Sequence, residues 1–184
     1  RVVSDDHRVE RGQAVAGGGG LGWPGAARPG ASAALRAGAG LVTVASPAAA
    51  LTVNASHLTA IMLVRADSGQ DIADLLADRR KNAILLGPGN GVGEGTRAKV
   101  RAALASGAAC VLDADALTSF APVPGALWQA VRALPARPAV VTPHAGEVAR
   151  LVPGLAGKET QLDQAGQAAA QDGAVAGPEG AATV

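Results

Sequence analysis

The chain reads as a parallel α/β protein, a sheet flanked by helices, on three observations. Short apolar runs stop abruptly at polar or glycine corners, helical periodicity resumes behind those corners, and the runs are apolar on both faces, as buried parallel strands are. The runs are Leu41-Val42-Thr43-Val44-Ala45 before Ser46-Pro47, Ala83-Ile84-Leu85-Leu86 before Gly87-Pro88-Gly89-Asn90-Gly91, Cys110-Val111-Leu112 before Asp113-Ala114-Asp115, and Val140-Val141-Thr142 before Pro143-His144-Ala145-Gly146-Glu147. In an open parallel sheet, loops at the carboxyl ends of strands form the ligand crevice, so these four corners are expected to converge on one site.

The helices between them are justified in order. Ala31 to Ala39, rich in Ala with Leu35 and Arg36, predicts a helix that Gly38 and Gly40 end. In the run Asp71 to Asp78, Ile72, Leu75 and Leu76 fall at i, i+3 and i+4, a buried stripe. Glu94 to Ser106 repeats that logic with Val100, Ala103 and Leu104, and Gly107 is its stop. Leu127 to Leu134 puts Leu127, Val131 and Leu134 on one face, and Glu147 to Val152 starts another helix through Val148 and Leu151. Short buried strands alternating with helices of this kind imply βαβ units. After Pro153 the text is a Gly/Ala/Gln mixture; Gln161 to Gln171 predicts a helix, and no strand is predicted behind it.

Composition narrows the function classes. The 184 residues are one domain's worth of chain, 48% apolar but only 2% aromatic and without Tyr, so Ala, Val and Leu must do the packing. Sixteen Lys and Arg against 15 Asp and Glu leave a net charge of +1, and no basic cluster interleaves with aromatics, which argues against nucleic acid. The lone Cys110 lies inside an apolar run and reads as a small buried hydrophobe of a reducing, cytoplasmic compartment. No long uncharged apolar stretch or signal-peptide core occurs, so a membrane is not expected. The absence of an initiator Met suggests a fragment of something longer.

Four places carry candidate chemistry. The glycines of Gly87-Pro88-Gly89-Asn90-Gly91, between a strand and a helix, suit close approach of backbone amides to a phosphate; a tight βα turn would use them too. Gly20-Leu21-Gly22-Trp23-Pro24-Gly25 matches G-x-G-x-x-G formally, but the next strand ends at Ser46-Pro47 with no acidic residue for a ribose, so a dinucleotide fingerprint is poorly met. Asp113 and Asp115 flank Ala114 at a strand end, where one side chain can face the crevice as base, metal-water ligand or helix cap. His144 can donate to a phosphate or amide, and Glu147 can cap the helix behind it or contact a metal-bound water. His57 and His7 lack supporting partners and read as structural or solvated. No nucleophile elbow, Walker A loop or H-E-x-x-H motif occurs.

Taken together, Pro24-Gly25-Ala26-Ala27, the run Ala33-Ala34-Leu35-Arg36-Ala37-Gly38-Ala39-Gly40-Leu41-Val42-Thr43-Val44-Ala45, the Gly87–Gly91 loop, Val111-Leu112-Asp113-Ala114-Asp115-Ala116-Leu117 and Thr142-Pro143-His144-Ala145-Gly146-Glu147 resemble, in this order, the ADP-dependent (S)-NAD(P)H-hydrate dehydratase family. The resemblance runs roughly from Val9 to Ala176. It implies a ribokinase-like three-layer α/β fold, here incomplete at the C-terminus, with residues 1–12 a linker or extension and 13–184 the partial domain. It also implies metabolite repair: ADP (or ATP) with Mg2+ phosphorylates the hydroxyl of hydrated NADH or NADPH, and elimination of phosphate restores the dinucleotide. The partners implied are nucleotide small molecules, an NAD(P)H-hydrate epimerase, fused or separate, and further copies of the same chain.

Carried over by position, Ala26, the loop glycines Gly87, Gly89 and Gly91, and His144 resemble the residues that contact the hydrated dinucleotide. Asp113 resembles the carboxylate of the V-L-D-A-D-A loop and is an auxiliary candidate, with Asp115 and Glu147 as secondary ones; no metal ligands are assigned. Three departures stand out. Pro29-Gly30 falls where the family has helix, at a cost of about 3 kcal/mol or more in a helix interior unless the helix starts later. Asn90 replaces the leucine usual between the last glycines. The L-K-G loop and the G-S-G-D motif, whose aspartate is the family's expected base, are missing, so the catalytic residue is unknown. The alternatives are a ribokinase-superfamily small-molecule kinase, or a truncated, catalytically impaired nucleotide-binding module.

Overall fold

The computed structural model of the protein describes residues 11–151, apart from Leu21 and Pro24, and the short strand Val175–Ala176. The predicted helix over Gln161–Gln171 and residues 1–10 of the expected linker over 1–12 lie outside the described residues.

Among the described residues seven parallel strands form one sheet: β1 (Gln13–Gly17), β2 (Leu41–Ser46), β3 (Met62–Arg65), β4 (Lys81–Leu86), β5 (Ala109–Leu112), β6 (Ala139–Val141) and β7 (Val175–Ala176), in the order β3-β2-β1-β4-β5-β6-β7. The chain winds outward through β2 and β3, returns to place β4 beside β1, and winds outward the other way. The switch point is therefore between β1 and β4, with Ala14 opposite Ala83 and Gly17 opposite Leu86. Because crossovers between parallel strands are right-handed, reversing the winding direction transfers the helices to the opposite face of the sheet.

Packing follows that rule. On one face α1 (Ala27–Arg36) lies on Ala16, Val42 and Val44. On the other, α3 (Gly69–Leu76), α4 (Glu94–Ser106), α5 (Asp115–Phe120) and α6 (Pro124–Arg132) cover Val15, Ile84, Leu86, Cys110 and Leu112. Two further helices, α2 (Ala48–Ala55) and α7 (Ala145–Leu151), follow β2 and β6. Helix α3 starts with a capping box: the Ser68 hydroxyl accepts the Asp71 amide at 3.2 Å while the Asp71 carboxylate accepts the Ser68 amide at 2.8 Å, holding Asp71 below the usual carboxylate range. Glycine in a left-handed conformation ends α4 at Gly107, as its sequence suggested.

Two expectations need correction. Helix α1 does not wait until Ala31 but begins at Ala27, and Pro29 is its third residue. The first-turn amides have no intrahelical acceptor, so a proline there removes nothing. A strand also follows Pro153 after all, since Val175–Ala176 pairs with Val140–Val141 at the sheet edge.

Candidate functional site

The loop after β1 meets the loop after β4 at the carboxyl ends of the strands, where an open parallel sheet has its crevice. The Gly19 amide donates to the Pro88 carbonyl at 3.3 Å, the Gly20 amide to the Gly89 carbonyl at 2.6 Å, and the Asn90 side-chain amide to the Gly17 carbonyl at 2.9 Å. Glycine is required at this seam. A Cβ at Gly18 would collide with the Pro88 carbonyl, one at Gly87 with the Asp113 carbonyl, and one at Gly89 would lie 2.9 Å from the Ala26 Cβ; all three have positive φ. Gly91 differs, because a Cβ there would meet open space. The glycines thus divide: those at positions 87 and 89 let two loops and a helix N-terminus close on one another, and Gly91 stands on the open side.

The next corner is tied to this one. Asp115 accepts the Gly91 amide at 2.8 Å, the Ser119 hydroxyl accepts the Gly93 amide at 3.1 Å, and the Thr96 hydroxyl donates to the Gly91 carbonyl at 2.5 Å. Ala114, with φ of +48°, turns the chain sharply between the two aspartates. That is a conformation costing about 1–3 kcal/mol outside glycine, and such strain gathers at functional sites. Asp113 stays local, accepting the Ala114 amide at 2.8 Å.

His144 stands at the end of β6 as the residue before α7. Its Nδ1 accepts the Gly146 amide at 3.0 Å, while the buried Glu147 carboxylate accepts the His144 amide at 3.0 Å and the Thr118 hydroxyl at 3.2 Å. An Nδ1 that accepts leaves the proton of the neutral ring on Nε2. Nε2 lies 3.6 Å from Glu147, beyond hydrogen-bond reach, and the side chain is 59% exposed. His144 therefore offers an N–H to solvent at the carboxyl end of β6. Glu147, 3% exposed, caps α7 through the His144 amide.

A continuous path results: Gly91 to Asp115, along α5 to Thr118, then Glu147 and His144. Ala26, Gly89 and Gly91 stand at the β1–β4 end and His144 two strands away, roughly 10 Å at the usual strand spacing. His57 lies apart from them; its Nδ1 contacts the Val53 carbonyl at 2.8 Å, so it does have a partner, in α2. Lys99, whose amine burial pushes down in pKa, donates to the carbonyl of Ala66, the residue after β3. Among the described residues no group of three or more His, Cys, Asp or Glu could hold a metal ion. The sequence reading missed Asn90, Thr96 and Ser119. Asn90 and Thr96 have one signal, position within the glycine loop or the first turn behind it; Ser119, 26 residues from its partner Gly93, has none.

Comparison with known proteins gives the following. The family profile described as NAD(P)H-hydrate dehydratase matches residues 15–183. The bifunctional NAD(P)H-hydrate repair enzyme of Coxiella burnetii is 31% identical over 162 residues, 87% of this chain and 30% of that protein. The ADP-dependent (S)-NAD(P)H-hydrate dehydratase of Lactiplantibacillus plantarum is 35% identical over 151 residues, 80% of this chain and 51% of that one. The chain thus spans from 30% to 51% of the length of these relatives. The Bacillus subtilis ADP/ATP-dependent NAD(P)H-hydrate dehydratase, co-crystallized with ATP/Mg2+, superposes with a TM-score of 0.72 at 25% identity, covering 98% of this chain and 62% of that one. A ribokinase-like superfamily protein from Enterococcus faecalis gives 0.72 at 23% identity.

Proposed function

The chain belongs to the NAD(P)H-hydrate dehydratase family, and from that premise we propose that it binds hydrated NADH or NADPH across the crevice and supplies the dinucleotide half of an ADP-dependent dehydration site. The observation that carries this reading is the seam of Gly17–Gly20 against Gly87–Gly91 at the sheet's switch point, with Ala26 beside it. Such a crevice is where an open α/β sheet receives a dinucleotide. Gly91, its amide and carbonyl held by Asp115 and Thr96, leaves open space beside the loop where a pyrophosphate could lie, and the His144 Nε2–H is available to a carbonyl or phosphate oxygen of the substrate.

ADP or ATP with Mg2+ would supply the phosphoryl group that turns the substrate's hydroxyl into a leaving group. The described residues do not fit a metal site of their own, since Asp113 and Asp115 each spend an oxygen on a backbone amide and stand in no triad of ligands. The ion would come with the nucleotide. No G-x-G-D segment occurs among the 184 residues, and a positioned base typically contributes about 10²–10⁴-fold in rate. This chain alone is therefore expected to bind hydrated NADH and to dehydrate it far more slowly than the longer relatives. An NAD(P)H-hydrate epimerase, fused or separate, is the functional partner this reading calls for.

The test is calorimetric titration with NADH and hydrated NADH, followed by recovery of NADH absorbance with ADP and magnesium. Saturable binding with slow recovery is expected. Absence of binding would overturn the reading, turnover equal to a full-length relative would move the base onto Asp113 or Asp115, and phosphorylation of a thiazole or pyrimidine alcohol would favour a kinase.

A further inference from the structure

The two tryptophans have opposite surroundings. Trp128 is 7% exposed and its indole N–H donates to the Leu151 carbonyl at 3.2 Å. Trp23 is 76% exposed, in a chain whose one Phe is fully buried and which has no Tyr. Its backbone is nevertheless pinned to the crevice. The Trp23 amide donates to the Gly20 carbonyl at 2.9 Å, its carbonyl accepts the Ala26 amide at 3.1 Å, and that same carbonyl lies 3.1 Å from where a Cβ on Gly89 would stand.

A seam of glycines and backbone amides can hold an anion, but it presents no flat apolar face. A dinucleotide carries a planar heteroaromatic ring on each side of its pyrophosphate, and each ring stacks readily on an aromatic side chain. His144 stands at the β6 end of the site; at the β1 end, the aromatic side chain among the described residues is Trp23. We propose that Trp23 is the stacking platform for one heteroaromatic ring of the bound dinucleotide, held at the mouth of the β1–β4 seam. This rests on the dinucleotide reading given under Proposed function. It assigns a recognition role to a residue whose exposure stability does not require, because an indole in water contributes little to folding.

Two measurements test it. Calorimetry with NADH should show Trp23→Ala binding about tenfold or more weakly than the parent, with Trp23→Phe retaining most of the affinity and all three melting alike. In the Trp128→Phe protein, where Trp23 is the remaining fluorophore, AMP and nicotinamide mononucleotide are added separately; both are transparent where indole emits. The mononucleotide that quenches emission with saturation identifies which ring stacks. If the parent binds NADH and Trp23→Ala binds it equally, with neither mononucleotide quenching, the stacking role is overturned and the dinucleotide reading stands. If the parent does not bind NADH, both fall. Should Trp128→Phe fail to fold, the difference in quenching between the parent and Trp23→Phe carries the same information.

Discussion

On one face of the sheet the core is made of Phe120, Ile72, Ile84, Leu104, Leu117 and Leu127; on the other, where α1 lies, it is made of Ala16, Ala27, Ala31, Val42 and Val44. The first buries far more apolar area per residue and so carries most of the hydrophobic stabilisation. The second buries little but lets α1 approach closely, with an apolar hollow of about 130 Å³ left beside Gly30, Ala34 and Leu85. That closeness brings Ala26 against Gly89. One face holds the fold together, and the other sets the width of the crevice.

The largest effect that could break this contrast is a pair of core truncations. Phe120→Ala should cost about 3–5 kcal/mol, and Val44→Ala, which removes two methyl groups, about 2 kcal/mol, both read from urea unfolding midpoints. Equal costs would mean that the small-residue face is as important to stability as the large one. Ligand affinity should respond the other way, more to Val44, whose loss loosens the seat of α1.

A smaller effect sharpens the contrast within the glycine loop. Gly87→Ala drives a Cβ into the Asp113 backbone carbonyl, which cannot rotate away, whereas Gly91→Ala meets nothing. With both residues at positive φ, the second should cost only the left-handed penalty of about 1–2 kcal/mol and the first about 3 kcal/mol or more. Thermal unfolding reads the difference. Gly91→Ala should weaken NADH binding by more than its small stability loss accounts for, and an unchanged affinity would remove Gly91 from the proposed phosphate cradle.

The same contrast explains what could be read from the sequence. Strands β4, β5 and β6 and helices α3, α4 and α6 present Leu, Ile and Val to the large core, so their periodicity is visible, and α4 was predicted at Glu94–Ser106, as found. Strand β1 was not. Its sequence Gln-Ala-Val-Ala-Gly carries one branched aliphatic, because α1 presses on Ala16, and a Cβ at Gly17 would stand 2.5 Å from Leu86 Cδ2. Strand β3 escaped for another reason: among the described residues it pairs only with β2, at the sheet edge, and it is half exposed, so it needs no apolar run. Helix α2, largely Ala, and the six-residue α5 lack a readable stripe. At the site, Gly87–Gly91, Asp115 and His144 were legible as chemistry. Asn90 is not, since its partner Gly17 is 73 residues away, and the loop after β1 carries little signal because β1, the strand that positions it, has no apolar run.

The smallest effect concerns titration, and it separates the two cores by charge. Cys110 belongs to the large core, its thiol facing the Ala108 carbonyl at 3.3 Å, while the buried cluster of the small core is made of Ala and Val. Burial pushes the Cys110 thiol up from 9.0 to about 11, against a weaker opposing pull from Arg137. The folded protein therefore keeps a proton that the unfolded chain gives up first, so the stabilising contribution is complete below pH 9 and is lost as pH rises towards 11. Lys99 works in the opposite sense: burial lowers its pKa, and its penalty is relieved as pH rises. Total stability is thus a poor readout, but the difference between the parent and Cys110→Ala isolates the thiol. That difference should be flat from neutral pH to about 9 and should then shift in favour of the variant. The folded parent should also resist alkylation near pH 8, because the reactive thiolate is not formed there. A flat difference up to pH 11, or rapid labelling of the folded chain, would show that water reaches Cys110 and that the large core is looser around β5 than its packing implies.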